Sequence, residues 1–142
     1  MPSAKQTVTI ARPVAAVFAY VADGENGPHW RSADIEVRRV SGEGVGTRYA
    51  QVVPGPMGRR IAADYEITAY EPNRRVEFQT TAGPVRPHGS YDFEAEGDGT
   101  RLTFSLDAKL GGIQKLLMSG MVQKTMDAEV GSIQKLKRVL QG

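Results

Sequence analysis

Few residues in this sequence stand at spacings that do chemistry. Two carboxylate pairs, Asp64/Glu66 and Glu94/Glu96, have the i, i+2 spacing that puts both groups on one face of a strand. Such pairs can act as acid and base when their environments differ. Here each pair falls on the polar side of its strand, with Arg60, Arg75 and Arg101 as expected cross-strand partners, so both read as solvated ion pairing. His29 and His88 lie far apart and in neither a His-x-x-His nor a His-Glu-x-x-His spacing, which gives metal binding no support. His29 adjoins Trp30 in a loop expected to close one end of the fold, and His88 opens a strand. Surface or rim positions are expected for both. Gly42-x-Gly44-x-Gly46 has the glycines of a phosphate loop but neither GK[ST] nor a following helix, so it reads as a hairpin turn with positive φ. Ser119 sits in a helical stretch without a Gly-x-Ser-x-Gly context. The absence of cysteine excludes disulfides, thiolate ligands and a cysteine nucleophile. The expected catalytic set, metal set and cofactor set are therefore each "none".

What remains is aromatic. Phe18, Trp30, Tyr49, Tyr65, Phe78, Tyr91, Phe93 and Phe104 recur at inward positions, and three of them carry a hydroxyl. A phenol aimed into an apolar interior needs a hydrogen-bond partner from the protein, from water or from a ligand.

The elements that position this set follow from periodicity. Alternating runs at 5–11, 35–40, 47–53, 60–70, 75–81, 89–96 and 101–109 read as seven strands. The connections after the second run are short and rich in glycine, proline, asparagine and aspartate, which demands antiparallel neighbours. Tyr65, Ile67, Val76, Phe78, Tyr91, Phe93, Leu102, Phe104 and Leu106 fall on one face, and charged or hydroxyl residues on the other. After the first strand, Pro13 suits a helix start, followed by the apolar face of Val14, Val17, Phe18 and Val21. Residues 113–140 carry apolar residues at steps of three and four and read as one long helix. A long helix laid over one curved sheet is the expected arrangement.

The 142 residues fit one domain spanning 1–142. A net charge of +2, with no Lys/Arg run longer than two, gives no footprint for nucleic acid. No stretch approaches the ~20 apolar residues of a membrane span, and the N-terminus lacks a signal-peptide core. No stable membrane insertion and a cytoplasmic location are expected.

Specific stretches carry a family likeness: Pro13–Asp23, then Asn26 and Trp30, Gly44–Tyr49, Tyr65–Arg75 and Gly99–Thr103. In these the chain resembles the polyketide cyclase/dehydrase and lipid transport family, of the SRPBCC or START-related helix-grip superfamily. The resemblance implies an α+β helix-grip fold. In it a seven-stranded curved antiparallel sheet wraps around a long C-terminal helix, and two short helices follow the first strand. It also implies a hydrophobic pocket between sheet and helix. The family has no single catalytic motif to carry over, and Ala15 stands where an acidic residue is common. The leading expectation is a non-enzymatic binder of a small hydrophobic molecule of lipid, polyketide or aromatic type. Its pocket would be lined by Phe18, Trp30, Tyr49, Tyr65, Ile67, Phe78, Tyr91, Phe93, Leu117 and Met121. The alternatives are a cyclase/dehydratase-like enzyme using Tyr65, Tyr91 or His88, and a protein-interaction module using the same groove.

Overall fold

The computed structural model describes residues 3–31, 35–55, 58–83, 85–109 and 112–141, with 112–119 and 121 described as backbone alone. The chain order is β1 (Ser3–Ile10), α1 (Val14–Ala22), a 3-10 turn (Gly24–Asn26) and α2 (Gly27–Trp30). It continues with β2 (Glu36–Ser41), β3 (Arg48–Pro54), β4 (Arg60–Ala62), β5 (Tyr65–Glu71), β6 (Arg75–Thr80), β7 (His88–Glu96) and β8 (Gly99–Asp107). It ends with α3 (Gly112–Gly131) and α4 (Ile133–Gln141). All strand pairs are antiparallel, in the order β1-β8-β7-β6-β5-β3-β2, with β4 paired to β3. This is the expected curved sheet with helices on one face.

Two expectations need correction. The sheet has eight strands rather than seven, because the run 60–70 divides at Ala63–Asp64. The pairs Val52/Ala62 and Tyr49/Tyr65 nevertheless share one register. Side chains bond to the backbone at this division. The Gln51 backbone N–H donates to Asp64 Oδ1 at 3.0 Å, and the Gln51 side-chain amide donates to the Ala63 carbonyl at 3.0 Å. These two side-chain bonds stand beside the backbone bond from the Ala63 N–H to the Gln51 carbonyl at 2.7 Å.

The C-terminal helix is two helices, divided at Ser132. Its N–H bonds to the Glu129 carbonyl at 3.1 Å, as does its hydroxyl at 2.5 Å, and the next turn restarts on the Ser132 carbonyl. A Gly-Ser step is a recognised place for such a break. The apolar stripe runs through it without interruption: Val122, Met126, Val130, Ile133 and Leu136 are all buried. α3 packs chiefly on β1 and β8, and α4 on β1 and α2, over a core that includes Val8, Ile10, Leu102, Phe104 and Leu106. Each such side chain contributes ~1.5–3 kcal/mol of burial.

Local chemistry fixes the ends. Pro13 stands just before α1, and its carbonyl accepts from the N–H groups of Ala16 and Val17. Asp23 Oδ1 caps the 3-10 turn at the Glu25 N–H, 3.1 Å away, and Asn26 Nδ2 donates to the Tyr20 carbonyl left free at the end of α1. Gly42, Gly44 and Gly46 have φ of +89°, +64° and +89°, so the β2–β3 connection is a turn that needs glycine. The free edge of β1 is covered at its start by Gln123 of α3, which exchanges two hydrogen bonds with the Ser3 backbone.

Candidate functional site

One aromatic side chain from each of five strands forms a ladder across the inner face of the sheet. Tyr49 of β3 stacks on Tyr65 of β5, with ring centroids 4.9 Å apart. Tyr65 meets Phe78 of β6 at 5.4 Å, Phe78 meets Tyr91 of β7 at 6.0 Å, and Tyr91 stacks on Phe104 of β8 at 4.3 Å. The ladder depends on glycine at one step. Phe78 lies opposite Gly89, and its ring occupies the space where a Cβ of residue 89 would stand.

The chain from α1 to α2 closes over the Tyr49 end. Gly24 donates its N–H to Tyr49 Oη at 3.3 Å, and Trp30 packs edge-on against Tyr91 at 6.1 Å. Between this closure and the sheet lies a cavity of about 40 Å³. Its lining includes Asp23, Gly24, Trp30, Arg31, Tyr49, Gln51, Tyr65, Ile67, Val76, Phe78 and Tyr91. That is room for water but far less than the ~300–1,000 Å³ of a typical ligand pocket.

Two charged residues line the cavity, Asp23 and Arg31. Arg31, directly after α2, has a side chain only 14% exposed, and its Nε donates to Glu129 Oε1 of α3 at 2.5 Å. Its Nη1 donates to Gln51 Oε1 at 2.8 Å. The same Gln51 is fixed from its other side by Ala63, so the sheet holds the acceptor that positions the guanidinium. Among the described residues no fully buried side-chain polar atom lacks a partner. The hydroxyls of Tyr65 and Tyr91 make no hydrogen bond among the described residues, so they are the groups that the cavity reaches.

The electrostatics keep the Arg31 guanidinium charged and the tyrosine hydroxyls protonated at neutral pH. Burial works against the Arg31 charge, but the adjacent carboxylate of Glu129 more than offsets it, and the guanidinium is harder to deprotonate than free arginine. Burial pushes both Tyr65 and Tyr91 well above the usual phenol range, against the opposing pull of Arg31. Tyr49 is raised by burial too, with its Gly24 hydrogen bond acting the other way. At neutral pH the wall therefore presents a cation and two neutral O–H donors. It is suited to a hydrogen-bond acceptor or an anion, and its phenols are not bases.

Of the ten residues expected to line a pocket, Trp30, Tyr49, Tyr65, Ile67, Phe78 and Tyr91 surround this cavity. Phe18 and Phe93 are buried elsewhere, packed ring to ring at 5.1 Å beneath α1, with Tyr70 at 5.4 Å from Phe18. The side chains of Leu117 and Met121 lie outside the described residues.

His88 faces away from the cavity, on the outer side of the sheet, with Nε2 3.1 Å from Glu77 and Nδ1 3.5 Å from Asp107. That removes it from the enzyme alternative. His29 is exposed, as expected. Among the described residues no group of His, Cys, Asp or Glu is arranged to hold a metal. Glu94 and Glu96 pair with Arg101 as expected, but Glu66 pairs with Arg48, Arg60 with Glu36, and Arg75 with Asp92 and Glu77.

Arg31, Gln51 and Glu129 were not among the residues expected at the site. Two of the three left a trace in the sequence. Gln51 shares the inward phase of Tyr49 in β3, and Glu129 lies three residues after Met126 and four before Ile133 on the buried stripe. Arg31 follows a four-residue helix and carries no periodic signal.

A family model described as polyketide cyclase / dehydrase and lipid transport matches residues 1–141. Uncharacterized proteins of Mycobacterium tuberculosis and Mycobacterium bovis are 29% identical to the chain over 112 residues, which is 76% of this chain and 66% of theirs. The chain thus spans just under two thirds of the length of these curated relatives. Among solved structures, TTHA0849 from Thermus thermophilus superposes with a TM-score of 0.81 at 26% identity, covering 98% of this chain and 97% of that one. The di-domain ARO/CYC StfQ from the steffimycin biosynthetic pathway superposes with a TM-score of 0.81 at 10% identity, over 98% of this chain and 50% of that one, a likeness of fold alone.

Proposed function

The chain belongs to the polyketide cyclase/dehydrase and lipid transport family, and from that membership together with the charged wall of the cavity we propose that it binds a small, mostly apolar molecule with one hydrogen-bond-accepting end. The body of the ligand would lie along Trp30, Ile67, Val76 and Phe78, and its polar end would meet Arg31, Tyr65 and Tyr91. The observation that carries this reading is the pair of tyrosine hydroxyls that face the cavity without a partner among the described residues. Both hydroxyls are open to the cavity, and a ligand acceptor there would give each a direct hydrogen bond, worth ~0.5–1.5 kcal/mol net. The 40 Å³ cavity must widen for such a guest, by separation of the Arg31 segment from α3. Affinity would then come from apolar area at ~25 cal/mol per Å², less the cost of that separation.

Trp30, the single tryptophan, packs on Tyr91 and reports the event directly. Titration with a long-chain fatty acid, a steroid and a polycyclic phenol should change its fluorescence saturably for at least one of them and raise the melting temperature with it. A flat response to all three, with no thermal shift, would end the binder reading.

One observation favours a second reading, the cyclase/dehydratase type of enzyme. Glu129 places a carboxylate beside the cavity, where it could exchange a proton with an enolisable substrate. That reading requires turnover of such a substrate by purified protein, lost in Glu129→Gln with binding retained.

A further inference from the structure

We propose that Glu129 holds the place of a ligand's carboxylate, and that the molecule this pocket selects is a small amphiphilic carboxylic acid whose head group replaces Glu129 on Arg31. The inference rests on the binder reading and gives it a ligand class. The two partners of Arg31 are not equivalent. Gln51 belongs to the sheet, and its amide is bonded at both ends, to Arg31 at 2.8 Å and to the Ala63 carbonyl at 3.0 Å. Glu129 belongs to a helix, is 28% exposed against 14% for Arg31, and its carboxylate bonds to no other described residue. Glu129 can turn out to water while Arg31 stays anchored.

The vacated place fits a carboxylate. A guanidinium has five N–H donors in a fork that matches two carboxylate oxygens, and two of the five are used among the described residues. The neutral O–H groups of Tyr65 and Tyr91 border the same cavity and supply further donors. A carboxylate accepts about four such bonds. An acid entering as Glu129 leaves keeps the buried charge balanced, whereas an ester, ketone or alcohol would strand the guanidinium or have to compete with an ion pair already in place. The exchange also breaks the tie between α3 and the segment after α2, which is the separation that a cavity of water size requires.

The test uses dodecanoic acid and its methyl ester, followed by Trp30 fluorescence and by calorimetry, on the wild type, Glu129→Gln and Arg31→Gln. The acid should bind the wild type at least tenfold tighter than the ester. Glu129→Gln should tighten the acid a further five- to tenfold and the ester by less, because the competing carboxylate is gone and only the acid restores the charge balance on Arg31. Arg31→Gln, if it folds by circular dichroism, should lose the preference; Glu129→Gln on the half-exposed helix face decides the matter without it. Equal binding of acid and ester, or an acid affinity that Glu129→Gln leaves unchanged or weakens, overturns the proposal. If the steroid or phenol binds and the acid does not, the carboxylate proposal fails and the binder reading stands. If nothing binds, both fail.

Discussion

Gly24 is the point at which the closure over the cavity can be perturbed by a single methyl group. A Cβ at this position would stand 2.2 Å from Tyr65 Oη, 2.9 Å from Tyr49 Cε1 and 3.0 Å from Tyr49 Cζ. Neither ring is free to step aside. The two stack on each other at 4.9 Å, Tyr65 is backed by Phe78 at 5.4 Å, and the Tyr49 hydroxyl is bonded to the Gly24 N–H. Overpacking of this kind costs roughly 1–3 kcal/mol. The stiffer unfolded chain of alanine offsets about 0.4–1 kcal/mol, since Gly24 has no positive φ.

Gly24→Ala should therefore destabilise by about 1–2 kcal/mol, a fall in Tm of about 3–6 °C at this chain length. Tyr65→Phe removes the atom that the methyl meets first. In the double variant the cost of Gly24→Ala should shrink by at least ~0.5 kcal/mol, a coupling that distant sites do not show. Urea denaturation with an unchanged m-value, together with scanning calorimetry, measures each corner of the cycle. A Gly24→Ala protein as stable as the wild type, or a strictly additive double variant, would mean that the turn does not rest on the tyrosine pair, and the geometry of the cavity would have to be redrawn.

Two further outcomes follow from the same ladder. Gly89→Ala would put its Cβ within 2.2–2.9 Å of three Phe78 ring atoms, so a loss of about 2–3 kcal/mol is expected, largely recovered by adding Phe78→Leu; a Gly89→Ala Tm within 2 °C (roughly 0.5 kcal/mol) of the wild type would contradict the ring's position. The pH dependence has a definite sign. The phenol groups of Tyr65 and Tyr91 are raised by burial, so their contribution is fully present below the unfolded value of about 10 and is lost as pH climbs toward their folded values. Stability should fall above about pH 10 by up to ~1.4 kcal/mol per pH unit for each tyrosine, and Tyr65→Phe with Tyr91→Phe should flatten that slope; an identical alkaline slope in the double variant would show that both hydroxyls are solvated.

The architecture was legible because it rests on periodicity. Alternation placed Tyr49, Tyr65, Tyr91 and Phe104 on one face, and the three- and four-residue steps from Met126 to Leu136 marked the buried stripe despite the break at Ser132. What could not be read was interruption and exchange between side chain and backbone. The division of the run 60–70 falls where the Asp64 and Gln51 side chains bond to the backbone beside the Ala63–Gln51 backbone bond, and no local propensity encodes that. Partner choice among surface charges was equally opaque. Arg75 finds Asp92 directly across β6 and β7, while Glu66 finds Arg48 directly across β3 and β5 rather than Arg60, because register decides which charges face each other. Phe18 and Phe93 had the right phase for a pocket but the wrong end of the sheet. Phase assigns a face, and only the path of α1 assigns the end.

The charged wall is the place where local rules and stability disagree. An ion pair taken out of water rarely stabilises more than apolar residues of the same volume would, since the desolvation of both ions is set against their attraction. Arg31 and Glu129 could be replaced by such residues with little loss, and Tyr65 and Tyr91 by phenylalanine with little change, because neither hydroxyl bonds to a described residue. The interior around them shows that this chain can build the apolar alternative: Phe104, Leu102, Ile133 and Leu136 are sealed and close-packed a short distance away. A cation anchored to the sheet, two neutral donors and a removable carboxylate therefore make little sense as packing. They make sense as a binding wall whose guest supplies the acceptor. The variants that separate the two accounts are the conservative ones. If stability were the reason for the cluster, Tyr65→Phe, Tyr91→Phe and Glu129→Gln would each weaken the fold and leave any binding alone. If binding is the reason, they should leave the fold near its present stability at neutral pH and change which molecules the pocket accepts.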